Sequence, residues 1–259
     1  MLRKLRGNKT TNWSGGSTKE LFLLGEDFKT RKFDLRISCA KIATPESDFT
    51  PLNGFSRNLT LLHAWPQHDL RLFVNGTEHI LRPWQSFEFL GSDVVKSLGK
   101  AEDFNVIYDA NKVTDVRVEA FTVTSGRMKN IRPSISSASS SSINTTGGGT
   151  SPPWVRTSFV HWPDIQMVGV RVQQGQEERK KKKQETFIHV VSPTTKLEMR
   201  PGESFMLDSS DLDKVQIETA SSTPDDRSFE QDGDHVRWIL VEFTAPIKSI
   251  STSQSHSKM

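Results

Sequence analysis

Arg36 and Ser38 are the residues of this chain whose types and spacing first suggest chemistry. They lie two apart in Phe33-Asp-Leu-Arg-Ile-Ser38, so on an extended strand both side chains leave one face, opposite Phe33, Leu35 and Ile37. If that face lines a concave space, a guanidinium and a hydroxyl converge there and can hold a carboxylate by charge-assisted hydrogen bonds. If it faces outward, both groups are simply solvated. Arg57 ends Phe49-Thr-Pro-Leu-Asn-Gly-Phe-Ser-Arg57 and poses the same choice. Two arginines at one mouth favour an anionic ligand, whereas a lone loop arginine is hydrated. In Trp13-Ser-Gly-Gly-Ser-Thr18, Gly15 and Gly16 stand beside a large aromatic, either to turn sharply or to bring backbone close to something. Asp103-Phe-Asn105 offers an asparagine suited to tying adjacent strands by satisfying backbone groups.

Other chemistries find little footing. His63, His68 and His79 form no His-x-His pair of the kind that holds a transition metal on a strand. Cys39 is the only cysteine, which excludes an intramolecular disulfide and a multi-cysteine metal site. No phosphate-cradling glycine loop with lysine and no Gly-x-Ser-x-Gly elbow occurs. The expectation is no metal, no cofactor and no catalytic residue.

The elements that position these residues are short strands. Period-two alternation puts Phe33, Leu35, Ile37 and Cys39 on one side and Asp34, Arg36, Ser38 and Ala40 on the other. Further strands are expected at 20–24, 58–63, 69–74, 77–81, 86–90, 103–109 and 114–124, with Asn75-Gly76 as a hairpin turn. The stretch 126–153 is rich in Ser, Gly and Pro and reads as a flexible linker. Strands resume at 166–173, 186–191, 196–199, 203–208, 213–218 and 236–243, with a charged loop near 174–185 and an acidic one near 220–234. Trp154 and Trp162, flanking His161, open this second half as packing residues. Residues 248–259 read as a frayed tail.

Composition sets outer limits. The net charge of +3 is more than supplied by the five residues Arg179 to Lys183, so no broad basic face for nucleic acid is expected. That run is either a solvated hairpin loop or a polyanion-binding or nuclear-localisation patch. With no signal-peptide pattern, no apolar run of about 18 residues and one cysteine, a cytoplasmic protein off the membrane is expected.

Taken in order and at these spacings, the four motifs resemble the HutD/Ves family of bicupin proteins. The likeness covers 8–124 by motif and 154–245 by strand layout alone. The Trp13 segment is similar to the family's Trp-Ser-Gly-Gly-Thr-Thr form, with Ser17 in place of threonine. It lacks the asparagine of another branch, so that residue's role does not carry over. Glu88, between Phe87 and Phe89, and Asn105 complete the resemblance. It implies an all-β bicupin of RmlC-like, jelly-roll type: two small antiparallel barrels over 1–125 and 154–247. It also implies a ligand-binding set of Trp13, Gly15, Gly16, Arg36, Ser38, Arg57, Glu88 and Asn105, with the arginines and serine as anchors and Trp13 as an apolar wall. The function implied is a non-catalytic binder or sensor of a small carboxylate linked to histidine utilisation, with formylglutamate as a suggested ligand. The rivals are a metal-independent cupin enzyme acting on a small acid or sugar, and a protein-interaction module.

Overall fold

The computed structural model describes residues 2–5, 9–66, 68–124, 129–130, 154–164, 188–192, 194–208, 211, 215–219 and 235–246. The first strands in chain order are β1 (Arg3–Lys4), β2 (Lys9–Trp13), β3 (Gly16–Asp27), β4 (Lys32–Ile42), β5 (Glu46–Asp48) and β6 (Ser56–Trp65). Next come β7 (Leu70–Val74), β8 (Thr77–Leu81), β9 (Ser86–Leu90), β10 (Val95–Leu98), β11 (Lys100–Tyr108), β12 (Thr114–Thr124) and β13 (Lys129–Asn130). The chain continues through β14 (Trp154–His161), β15 (Ile188–Ser192), β16 (Thr195–Met199), β17 (Ser204–Asp208), β18 (Gln216–Thr219) and β19 (His235–Pro246). No helix among the described residues is long and apolar enough to cross a membrane.

These strands form four antiparallel sheets. A six-stranded sheet, β2-β3-β4-β11-β6-β9, faces the four-stranded β5-β10-β7-β8 and encloses a core that includes Ile42, Leu59, Leu61, Leu70, Leu72 and Ala101. A five-stranded sheet, β1-β17-β14-β19-β12, faces β13-β18-β15-β16 around Trp162, Phe205, Leu207, Trp238 and Leu240. Each half is thus a sandwich of the jelly-roll type. The two larger sheets meet back to back across a third apolar layer. Leu35, Ile37, Phe104 and Val106 pack there against Phe159, Ile239, Val241 and Phe243. Phe22 lies 6.3 Å from Phe159 and 6.2 Å from Phe243 between ring centres. Each fully buried phenylalanine stabilises by roughly 1.5–3 kcal/mol, so this seam binds the halves into one body.

The middle of strand β4 therefore has no solvated face. Leu35 and Ile37 point into the seam, while Arg36 and Ser38, 6 % and 1 % exposed, point into the first sandwich. Phe33 departs from the alternation. It packs with Leu52 and Ile107 and stacks on Phe55 at 4.5 Å, because the β3–β4 register shifts at Gly25 beside it. The Asn75-Gly76 hairpin forms between β7 and β8, with φ of 50° and 83°, the left-handed pair that a two-residue turn requires.

The division of the chain is less simple than strands, linker, strands. Strand β12, expected in the first half, pairs along its length with β19, and β1 pairs with β17, so the first 125 residues lend two edge strands to the second sandwich. Within the expected linker, Lys129–Asn130 pairs with β18, and the other residues of 126–153 lie outside the described residues. So do 166–173, the charged loop 174–185, the acidic loop 220–234, the tail 248–259 and the first two residues of 186–191. Strand β14, which the sequence reading passed over, is central to the five-stranded sheet.

Candidate ligand-binding site

Strand register builds the site. Pairing of β11 with β4 and β6 sets Ile107 opposite both Arg36 and Arg57, and β9 adds Phe89 beside Arg57. Residues directly opposite share a face, so both arginines point the same way as Ile107, from the two strands on either side of β11. One step along, Asn105 stands opposite Ser38, and Ser38 opposite Glu20 of β3. One step further, Asp103 stands opposite Ala40. All these side chains except Phe89 line a cavity of about 340 Å³ inside the first sandwich, and Trp13, Phe28 and Phe49 complete its apolar wall.

Each arginine is held in place by this chain. Arg36 Nε donates to Glu20 Oε2 at 3.0 Å, and its guanidinium lies 3.9 Å from the Phe28 ring centre. Arg57 is 8 % exposed, lies 5.1 Å from the rings of both Phe49 and Phe89, and donates from Nη1 to the Thr50 carbonyl at 3.3 Å. Its Nε has no partner. Burial lowers the Arg36 pKa, opposed by the hydrogen bond that Arg36 donates to Glu20 and by the charge of that carboxylate. It lowers Arg57 to about 10, with Asp103 opposing and Arg36 adding to the shift. Both guanidinium groups remain cationic at neutral pH, in a setting where water screens them little.

The floor holds a buried acid. Asp103 is 1 % exposed; its Oδ1 accepts a hydrogen bond from Asn105 Nδ2, while its Oδ2 and the Asn105 Oδ1 have no partner. Burial raises the Asp103 pKa to about 7 although Arg57 pulls it down, and Glu102 adds to the rise.

At the rim, Trp13 ends β2 and Gly16 begins β3, so the glycine segment is a hairpin turn. It is also a close approach. A Cβ on Gly15 would stand 1.9 Å from the Trp13 ring, and one on Gly16 would stand 1.8 Å from the Lys41 carbonyl oxygen. Trp13 is 37 % exposed and its Nε1 donates to Thr18 Oγ1 at 3.2 Å, which fixes the ring over the cavity edge.

Of the expected site residues, Trp13, Arg36, Ser38, Arg57 and Asn105 line the one cavity, with Gly15 and Gly16 supporting Trp13. Glu88 does not. It is exposed on the other face of its sheet and accepts a hydrogen bond from Asn58 Nδ2 at 3.0 Å. Alternation places it there, since its neighbours Phe87 and Phe89 point inward. Sequence reading missed Asp103 and Glu20 as lining residues. For Asp103 the signal was present, because it is two residues from Asn105 on one strand.

A second cavity, about 190 Å³, is lined by Lys19, Cys39, Glu102, His161, Asp164 and Gly202. His161 Nδ1 is 2.9 Å from Ser204 Oγ and its Nε2 is 3.5 Å from Cys39 Sγ. Burial lowers the imidazole pKa to about 3, with Lys19 adding to the shift, and burial pushes the thiol up. Both groups are uncharged at neutral pH, which makes them a tie across the seam and not an activated nucleophile with its base. Among the described residues no cluster of three or more His, Cys, Asp or Glu side chains is placed to hold a metal ion.

Two jelly-roll sandwiches joined through their larger sheets, with a ligand-sized cavity inside the first, define a bicupin. The HutD family model matches residues 6–138, just over half of the chain, and the chain belongs to the HutD family. Among solved structures it is similar to a conserved protein of unknown function from Pseudomonas aeruginosa PAO1, at 17 % identity and a TM-score of 0.58, covering 94 % of this chain and 98 % of that one. It is also similar to HutD from Pseudomonas fluorescens SBW25 (formate condition), at 16 % identity and a TM-score of 0.54, with the same coverage. At these identities the likeness is one of fold. A comparison with curated proteins returns no match.

Proposed function

We propose that this HutD-family protein is a cytoplasmic, non-catalytic binder or sensor of a small carboxylate metabolite. The observation that carries the reading is the pair Arg36 and Arg57, aligned on the two strands that flank β11 and lining one cavity. Arg57 lines the cavity and spends one hydrogen bond, from Nη1, on the Thr50 carbonyl, which leaves its guanidinium charge-assisted donor capacity for an anionic oxygen. Glu20 keeps Arg36 oriented until a ligand arrives. Ser38 adds a hydroxyl, and Trp13 covers the apolar part of the ligand. Membership of the family supports a link to histidine utilisation, with formylglutamate as the ligand of choice.

Thermal shift with formylglutamate and glutarate tests this. A carboxylate at about 100 times its dissociation constant adds roughly 2.7 kcal/mol, which raises the melting temperature by about 5–10 °C. The absence of any shift across small mono- and dicarboxylates would contradict the reading.

A further inference from the structure

The cavity that accepts an anion also carries a carboxyl group in its floor, and the two must coexist. Asp103 is held on one side only, where Asn105 Nδ2 donates to Oδ1. Asp103 lines the cavity, and its Oδ2 is buried and has no hydrogen-bond partner. No ion pair joins Asp103 to Arg57 among the described residues, because Arg57 is committed to the Thr50 carbonyl and to the rings of Phe49 and Phe89. A ligand carboxylate offers acceptors only, so it can hydrogen-bond Oδ2 only if that oxygen bears a proton. Two ionised carboxylates side by side, one of them as buried as Asp103, would repel strongly.

We infer that Asp103 meets the ligand's carboxylate as a neutral carboxylic acid, its Oδ2 hydroxyl donating to a ligand oxygen, so that filling the cavity takes up one proton from solvent wherever Asp103 is ionised beforehand. The inference rests on the reading that the cavity binds a carboxylate, and it makes Asp103 a binding and specificity-determining residue.

The charged surroundings allow it. Arg57 on β6 is the cation that draws Asp103 towards ionisation, and Glu102, next to it on β11, opposes. On β4 stand Arg36, neutralised by Glu20 of β3, and the Cys39 thiol, which feels Asp103 through the sheet. Lys9, Glu26, Asp27, Lys29 and Asp48 also line the cavity and bring anions and cations in near balance. In the unfilled cavity Asp103 titrates at about 7, so at neutral pH the proton is available at little cost. A ligand anion raises that value further. The sign follows: below about pH 7 Asp103 is already protonated and affinity is flat, and above it affinity falls by up to about tenfold per pH unit.

The test is calorimetric titration of the full chain with glutarate and with formylglutamate at pH 6 and pH 8, repeated at pH 8 in HEPES and in Tris. These buffers differ in ionisation enthalpy, so the difference in observed heat counts protons. The expected results are binding about tenfold weaker at pH 8 than at pH 6 and uptake of close to one proton at pH 8. Asp103→Asn, which copies the shape of the neutral acid, removes the proton uptake and binds at pH 8 as the wild type binds at pH 6. Affinity independent of pH with no proton taken up overturns the inference. So does a folded Asp103→Asn that loses binding at both pH values, since Asp103 then acts as an ionised acceptor. If that variant does not fold, the proton count on the wild type decides. Binding at neither pH refutes the carboxylate reading itself, and the inference with it.

Discussion

Asp103 concentrates the conflict between stability and function in a single side chain. Its pKa in the folded chain is about 7, against an ordinary value near 4, because burial penalises the carboxylate more than Arg57 favours it. Between those two values the unfolded chain has released its proton while the folded chain retains it. The contribution of this group to stability is therefore full below about pH 4 and is lost as pH rises through about 7. Asp103→Asn escapes that loss. Its melting temperature should exceed that of the wild type by about 5 °C or more at pH 8 and match it within about 2 °C at pH 4. A variant less stable than the wild type at pH 8 would show the carboxylate to be properly satisfied in the fold. Such a cost in stability is the trade-off expected if Asp103 serves the proposed binding role.

At the scale of elements, the β2–β3 hairpin positions Trp13 through the absence of a side chain. Gly15→Ala places a methyl group 1.9 Å from the Trp13 ring, and the ring, at the end of a side chain, swings away before the backbone yields. We expect this substitution to weaken formylglutamate binding about fivefold or more while lowering the melting temperature by less than about 3 °C; equal affinity by titration would remove Trp13 from the site. Element geometry also decides what could be read beforehand. Arg36 and Ser38 were legible because period two is local: two positions on one strand share a face whatever the fold. The same arithmetic applied to Asp103 and Asn105 pairs them on the floor, and applied to Phe87, Glu88 and Phe89 it turns Glu88 away from the cavity. What local spacing cannot express is partnership between distant strands. Nothing in 114–124 reveals that it pairs with 235–246, and the burial of β14 on both sides in the middle of a sheet erases the alternation that would have marked it. The Arg36–Glu20 contact depends on the registers of β3 and β4, which are shifted by irregularities at Glu20 and Gly25.

For the whole molecule the decisive feature is the seam between the two larger sheets. Phe159 is fully buried there and touches the first sandwich through Phe22 and Phe104. Phe159→Ala should cost about 3–5 kcal/mol and lower one shared melting transition. Two separated transitions in scanning calorimetry would mean that the halves fold independently, despite the strands β1 and β12 that the first part of the chain lends to the second sandwich. A body of two sandwiches joined across an apolar seam, with a cavity lined by Arg36 and Arg57, suits the proposed binder or sensor, in which Arg36 anchors the ligand. Titration calorimetry of the wild type and Arg36→Ala with formylglutamate and glutarate addresses that anchoring role directly. A desolvated guanidinium–carboxylate contact is worth roughly 2–5 kcal/mol when one partner is removed, so Arg36→Ala should stay folded by circular dichroism and bind at least tenfold more weakly. A folded Arg36→Ala with the affinity of the wild type would contradict it.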